Sequence, residues 1–87
     1  MRIYMQTQVV ENKPPRFYQI ILEQDLLDGW NLLRETGLQG TSGKITRQHF
    51  QEIDEAQQVF MKVRDQQIKK GYRTVFVEGA ILSADTD

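Results

Sequence analysis

The chain has 87 residues, which is room for one hydrophobic core, and a single domain is predicted over residues 1–87. It contains no cysteine, which excludes a disulfide framework and thiolate chemistry and favours a reducing compartment. The N-terminal residues lack the apolar run of a signal peptide, and no segment approaches the roughly 20 apolar residues that span a bilayer, so a cytoplasmic protein with no membrane association is expected.

Turn signals separate four predicted β-strands in the N-terminal part of the chain. Pro14 and Pro15 lie in the loop between the first two strands, because proline fixes φ and lacks a backbone donor. Asp28-Gly29 is a hairpin signal before the third strand, and a glycine-rich loop precedes the fourth. These strands are predicted over residues 2–9, 16–23, 30–34 and 44–50.

An amphipathic helix is predicted over residues 52–70, because apolar residues recur there at three- and four-residue steps. Asp54 and Gln57 resemble a capping box at its start. Gly71 is placed to end the helix in the left-handed conformation. A last strand is predicted over residues 72–77.

The order of these elements predicts the fold class α+β, with an antiparallel sheet of about four to five strands and one long helix packed on one face. The structural core is predicted over about residues 16–77. Residues 79–87 are expected to form a flexible tail.

The net charge of −1 hides an uneven distribution of charged residues. Residues 34–73 contain eight Lys and Arg side chains and five Asp and Glu side chains, and both flanks of this segment are acidic. A near-neutral chain can therefore present a basic face. The alternative, charges scattered over a solvated surface, stays open.

The side chains that carry catalysis or bind metals do not assemble into a recognisable set. His49 is the one histidine and lies beside Phe50 in a predicted strand, where a surface or cross-strand role is expected. A lone histidine with scattered carboxylates lacks the spacing of a zinc site, and residues 25–28 lack the alternating oxygen ligands of a calcium loop. No enzyme activity, metal or cofactor is expected.

Gly43-Lys44 superficially resembles the end of a phosphate-binding P-loop. That motif requires a glycine five residues before its Gly-Lys pair and Ser or Thr directly after the lysine. Leu38 and Ile45 occupy those positions here. The following segment also reads as a strand, so no helix N-terminus would face a phosphate.

Basic residues around the glycine-rich hairpin indicate contacts with a phosphate backbone, to which glycine amides can also donate. Few aromatic residues are placed to stack on bases, so sequence-specific readout is not indicated. The candidate nucleic-acid-binding residues are Arg34, Gly37, Gly40, Lys44, Arg47, Lys69 and Lys70.

Several segments, taken in order, resemble a WGR domain over about residues 16–73. They are Phe17-Tyr18-Gln19-Ile20, Gly29-Trp30-Asn31-Leu32, Arg34 with the glycine hairpin, Phe50, Glu55-Ala56, Phe60 and Lys69-Lys70-Gly71-Tyr72. The resemblance implies a twisted antiparallel sheet with one helix. WGR domains occur in poly(ADP-ribose) polymerases, where they help to grip DNA at a break, and in bacterial proteins. A chain of this size resembles the small stand-alone bacterial members.

The chain departs from this family at its signature. Trp-Gly-Arg should fall at residues 36–38, where the sequence reads Thr36-Gly37-Leu38. The resemblance implies that the missing Trp and Arg are the residues that stack at a DNA end and hold phosphate. Leucine in place of arginine removes a cation and five donors, and threonine lacks the stacking area of an indole.

Two functions therefore stay open. The first is a non-enzymatic module that binds nucleic acid, such as a DNA backbone, weakly and with strong salt dependence. The second is a protein-interaction module that has lost DNA binding, with Thr36 and Leu38 at its contact surface. The oligomeric state is not predicted.

Overall fold

A computed structural model of the chain describes residues 1–79. In chain order these residues form β1 (Arg2–Gln6), β2 (Arg16–Gln24), β3 (Trp30–Leu38), β4 (Lys44–Phe50), α1 (Ile53–Lys69) and β5 (Arg73–Glu78). All neighbouring strands are antiparallel, and the order across the sheet is β4-β3-β2-β1-β5. The helix packs on one face of β2, β3 and β4, which confirms the predicted α+β architecture.

Two predicted domain features are not decided by this architecture. The expected tail over residues 79–87 lies, apart from Gly79, outside the described residues. The assignment of the whole chain to a single domain stays a prediction. Among residues 1–79 there is no helix with the length and apolar character required to cross a membrane.

Two strand boundaries differ from the prediction by more than one residue. β1 ends at Gln6 rather than residue 9, and Val9 is exposed beside a turn in which the Lys13 N–H donates to the Val10 carbonyl. β3 continues to Leu38 rather than ending at residue 34, because it pairs with β2 along its whole length. The glycine-rich loop is therefore short and covers residues 39–43.

The hydrophobic core lies between α1 and one face of the sheet. Side chains alternate between the two faces of a strand, so the strand residues that enter this core are two apart, as Ile20 and Leu22 of β2 are. The helix contributes residues at three- and four-residue spacing, as the amphipathic pattern predicted. The most buried members are Ile3, Met5, Ile20, Leu22, Leu32, Ala56, Phe60 and Val63.

The two faces of the sheet have different surroundings. The face that packs against α1 contains Ile20 and Leu32, and we call it the helix face. The opposite face, which contains Phe17 and Glu35 and is not covered by α1, is the open face. Directly opposed residues in antiparallel strands share a face, so the pairing register assigns every strand residue to one of the two.

The ends of α1 agree only partly with the prediction. Glu52 is the N-cap residue, and within the described part of the chain its side chain makes no capping hydrogen bond. The predicted capping box of Asp54 and Gln57 is wrong, since Asp54 lies inside the first helical turn. At the other end Gly71 has φ +105°, which matches the expected left-handed termination.

Candidate functional site

A shallow cleft of about 240 Å³ lies on the helix face of β2, β3 and β4, at the end nearest the glycine-rich loop. We call it the basic cleft. Its lining contains two cations and three hydroxyl groups, and no acidic side chain of the described residues belongs to it. The lining residues are Tyr18, Arg34, Thr36, Lys44 and Thr46.

The pairing register explains why these five side chains meet. Thr36 lies opposite Tyr18 on one side and opposite Lys44 on the other, and Arg34 lies opposite Thr46. Arg34 and Lys44 are therefore diagonal neighbours on the same face, a relationship that places Cα atoms about 7–8 Å apart. Two long cationic side chains at this separation can reach the same anion.

Arg34 is oriented by an aromatic side chain. Its Nε donates to the Tyr18 hydroxyl at 2.8 Å, and its guanidinium carbon lies 5.9 Å from the centre of the Tyr18 ring. Tyr18 in turn packs edge-on against Tyr72, with ring centres 5.7 Å apart. Neither Arg34 nor Lys44 forms an ion pair with a carboxylate of residues 1–79, so the positive charge of the cleft is not neutralised there.

The two substituted signature positions lie on the same face as the basic cleft. Thr36 is part of its lining, and its hydroxyl donates to the Phe17 carbonyl at 3.1 Å. Leu38 follows two residues later on the same face and is 40% exposed. A polar or cationic side chain at position 38 would therefore extend the row that Arg34 and Thr36 begin.

Gly37 lies within β3 rather than in the loop, and its role in the structure is close packing. A Cβ atom there would lie 3.1 Å from the Gly43 Cα and 3.3 Å from the Phe17 ring. The glycine therefore allows the two arms of the β3–β4 hairpin to approach each other across the Phe17 side chain. Its predicted contact with nucleic acid stays a prediction.

The hairpin loop uses several of its polar groups internally. The Gln39 N–H donates to the Pro15 carbonyl and the Thr41 N–H to the Leu38 carbonyl, while Gly40 has φ +88°. The Gln39 side-chain oxygen accepts from the Tyr4 hydroxyl at 2.9 Å, which draws the loop toward β1. The backbone N–H groups of Gln39 and Thr41 are therefore already used within the protein and are not available to an anion.

The other predicted cations lie outside the basic cleft. Arg47 is on the open face, opposite Leu33, and its Nη2 atom is 3.9 Å from an Asp25 carboxylate oxygen. Lys69 and Lys70 are exposed at the end of α1, next to the segment that carries Tyr72 to the Tyr18 ring. The structure thus brings Arg34 and Lys44 together and leaves the other three cations apart.

A separate polar cluster anchors the loop between β2 and β3. The pKa of the Asp25 carboxyl is lowered, first because it accepts the Leu27 N–H and second because it accepts the Asn31 side-chain amide, both at 2.8 Å. His49 lies opposite Asn31, and its Nε2 is 2.7 Å from the Asp28 carbonyl oxygen. The predicted surface, cross-strand position of His49 is confirmed.

Tyr18 and Thr46 are cleft residues that the sequence reasoning did not select. Thr46 lies two residues after Lys44 in a predicted strand, and period-two alternation alone would have placed it on the same face. Tyr18 had no local signal, because its position beside Arg34 depends on the register between two strands.

The family model of the WGR domain matches residues 1–77. The chain belongs to the WGR domain family. The WGR domain is a nucleic-acid-binding type of domain rather than a catalytic one. In this member the positions expected for the signature Trp and Arg hold Thr36, which lines the basic cleft, and Leu38, which lies two residues further along the same face.

A relative with this domain is "Uncharacterized protein y4dW" from Sinorhizobium fredii, which is 31% identical over 72 residues. The matched segment covers 83% of this chain and 35% of the relative, so the WGR chain spans about a third of that protein's length. No solved structure matches the chain.

Proposed function

We propose that this WGR domain binds nucleic acid weakly through the phosphate backbone, and that the basic cleft makes the contact. The observation that carries the proposal is the pairing of Arg34 and Lys44 in one cleft with three hydroxyl groups and no acidic lining residue among residues 1–79. Arginine can contact phosphate with two N–H groups at once, lysine adds a compact charge, and the Tyr18 and Thr46 hydroxyls can donate to phosphate oxygens, whereas the Thr36 hydroxyl donates to the Phe17 carbonyl. Membership of a nucleic-acid-binding family supports the same ligand class.

The composition of the cleft also sets the strength and the specificity of the binding. Two cations that each neutralise one phosphate predict a slope of log affinity against log salt of about −1.4 for single strands and about −1.8 for duplex DNA. Phosphate contacts carry no direct sequence information. Tyr18, the aromatic residue that lines the cleft within the described part of the chain, already packs against Tyr72 and is not free to stack on a base. We therefore expect weak binding without sequence preference.

The test is fluorescence anisotropy with labelled single-stranded DNA and blunt duplex DNA, titrated at several salt concentrations. Lys44→Ala and Arg34→Gln should each weaken binding. Each should also make the slope of log affinity against log salt shallower, by the amount expected for the loss of about one phosphate contact. Arg47→Ala is the matched control, because it removes one cation from the opposite face of the same strand pair. It should leave both affinity and slope unchanged.

The proposal is overturned if affinity does not respond to salt, or if Arg47→Ala weakens binding as much as Lys44→Ala. Circular dichroism of each variant separates a lost contact from a lost fold.

The protein-interaction alternative has one supporting observation, the 40% exposure of Leu38. Thr36, its predicted companion, is half-buried and its hydroxyl is bonded to the Phe17 carbonyl. Because isolated exposed leucines are common on monomeric proteins, this observation is weaker than the paired cations. A complete absence of DNA binding at low salt would favour the alternative, and a protein contact at this position should then be lost in Leu38→Asp.

A further inference from the structure

The two edges of the sheet differ in their protection against pairing. β4 at one edge carries Lys44 and Arg47, and cations on an edge strand discourage the addition of another strand. β5 forms the other edge, and within residues 1–79 no strand pairs with its outer side. Three consecutive apolar residues at its centre, residues 75–77, are between 42% and 56% exposed. Such an edge is a template for another β-strand.

A β-bulge changes the faces on which the β5 side chains lie. In the pairing with β1, Phe76 lies opposite Tyr4 and Thr74 lies opposite Met5, so Val75 is an extra residue without an opposed partner. The alternation of faces is therefore interrupted once, in the middle of the strand.

This interruption places both charged ends of β5 on the open face. Arg73 lies opposite Gln6 and Glu78 lies opposite Arg2, and both β1 residues are on the open face with Tyr4. In a regular strand, residues five apart would lie on opposite faces. Thr74 and Val77 share the helix face for the same reason.

The resulting strand is complementary to a second copy of itself. When two β5 strands lie antiparallel with Phe76 on a two-fold axis, and Val75 of each copy is again the extra residue without an opposed partner, Phe76 opposes Phe76, Thr74 opposes Val77, and Arg73 opposes Glu78. Each of these pairs lies on a single face, as a continuous antiparallel sheet requires. A two-fold axis generates the Arg73–Glu78 pair twice.

Arg73 and Glu78 are both able to form this ion pair across the axis. Arg73 forms no ion pair with a carboxylate of residues 1–79. Glu78 binds Arg2 through one carboxylate oxygen at 3.1 Å, and its side chain remains 62% exposed. The second oxygen can therefore accept from Arg73 of the second copy, and Glu78 then lies between two arginines.

We propose that the chain forms a two-fold symmetric dimer by antiparallel pairing of β5 with β5 of a second copy, which joins the two sheets into one. The proposal goes beyond nucleic-acid binding and does not rest on it, since the basic cleft is built from β2, β3 and β4. An interface made mainly by one pair of short strands is small, and small interfaces belong to the weak class. Dissociation in the micromolar range is expected.

Sedimentation velocity over a concentration series from micromolar to millimolar tests the dimer. Arg73→Glu creates two like-charge pairs with Glu78, and Glu78→Arg creates two with Arg73. Each variant alone should therefore dimerise at least about tenfold more weakly than the native chain. Mixing the two variants in equal amounts should restore association, because each introduced charge then faces its opposite. Lys62→Glu on the exposed helix surface is the control for the change in net charge.

Three outcomes overturn the proposal. The first is that the native chain stays monomeric throughout the series. The second is that Arg73→Glu dimerises no more weakly than Lys62→Glu, and the third is that the mixed variants fail to associate. Because Glu78→Arg also removes the contact with Arg2, thermal melting checks that the variant remains folded.

Cross-linking tests the register independently, because the chain has no cysteine of its own. Phe76→Cys places two thiols opposite each other across the axis, within the Cα separation that a disulfide spans. Thr74→Cys places each thiol opposite Val77 instead, so it should cross-link much more slowly under the same oxidant. Equal rates for the two variants would contradict the register.

Discussion

Arg34 is held in the basic cleft by a phenol rather than by a carboxylate. The Tyr18 hydroxyl accepts the Nε–H at 2.8 Å and fixes the direction of the guanidinium without neutralising it. A carboxylate at the same place would also orient the side chain, but it would compete with any anionic ligand. The tyrosine therefore gives orientation while leaving the charge available, and a lysine at position 34 could not use this contact in the same way.

The site residues could be predicted in part from spacing along the chain. Lys44 and Thr46 are two residues apart on a strand and share a face, whereas Lys44 and Arg47 are three apart and must lie on opposite faces. The sequence thus contained the information that Arg47 does not join the cleft. The proximity of Tyr18 to Arg34 could not be found in this way, because it depends on the register between β2 and β3.

The lowered pKa of Asp25 predicts a pH dependence of stability that can be assigned to one group. Its folded-state pKa lies below the ordinary value of 3.8, first because of the Leu27 N–H and then because of the Asn31 amide. The ionised carboxylate therefore stabilises the fold at pH values above 3.8, and this contribution is lost as the pH falls through the lowered pKa.

Asp25→Asn should accordingly be less stable than the native chain at neutral pH, with a difference that shrinks as the pH is lowered below about 4. Urea unfolding at a series of pH values measures this difference, and NMR titration of the carboxyl carbon reports the pKa directly. A titration midpoint at or above 3.8, or a stability difference independent of pH, would contradict the assignment.

Among the secondary-structure elements, those with strong local patterns were predicted well and those decided by distant contacts were not. The bounds of β4 and the existence of α1 follow from turn signals and periodicity. The extension of β3 through Gly37 depends on Phe17 of β2, against which the glycine packs. The bulge at Val75 likewise appears only when β5 is paired with β1.

The start of α1 offers a stabilising substitution. Glu52 has the extended backbone of an N-cap residue, with φ −108° and ψ 136°, but within the described residues its side chain does not cap a helical N–H. Serine is among the residues preferred at this position because its hydroxyl accepts the N–H of the second or third helical residue. Glu52→Ser should therefore raise the free energy of unfolding by about 0.5–1 kcal/mol.

Chemical denaturation monitored by circular dichroism measures this gain. Glu55→Ser is the matched control, since it makes the same replacement inside the first turn, where no capping bond can form and a favourable interaction with the helix dipole is lost. A gain for Glu55→Ser, or none for Glu52→Ser, would rule out the capping explanation.

The whole molecule depends on one layer of apolar packing between α1 and the helix face. Phe60 lies at the centre of this layer and is fully buried. Phe60→Ala should lower the free energy of unfolding by about 3–5 kcal/mol, a large part of the stability of a small domain. Trp30 packs against the same core, so its fluorescence reports the unfolding of the sheet and circular dichroism reports the helix.

The two signals should change at the same denaturant concentration, because helix and sheet share this core. Lys62→Ala, two residues away on the exposed surface of α1, is expected to change the stability by no more than about 0.5 kcal/mol. Separate transitions for helix and sheet would show that the layer is not a single cooperative unit.

The unequal edges of the sheet determine how far assembly can proceed. A sheet with two open edges can add copies without limit and grow into a fibre, whereas in the sheet formed by residues 1–79 only the β5 edge is suited to pairing. Once two β5 strands have joined, the outermost strands are both β4, and each presents Lys44 and Arg47 to any further copy. In the proposed dimer, association therefore ends at two chains, and one basic cleft lies near each far end of the joined sheet. A long polyanion could then be held at two points.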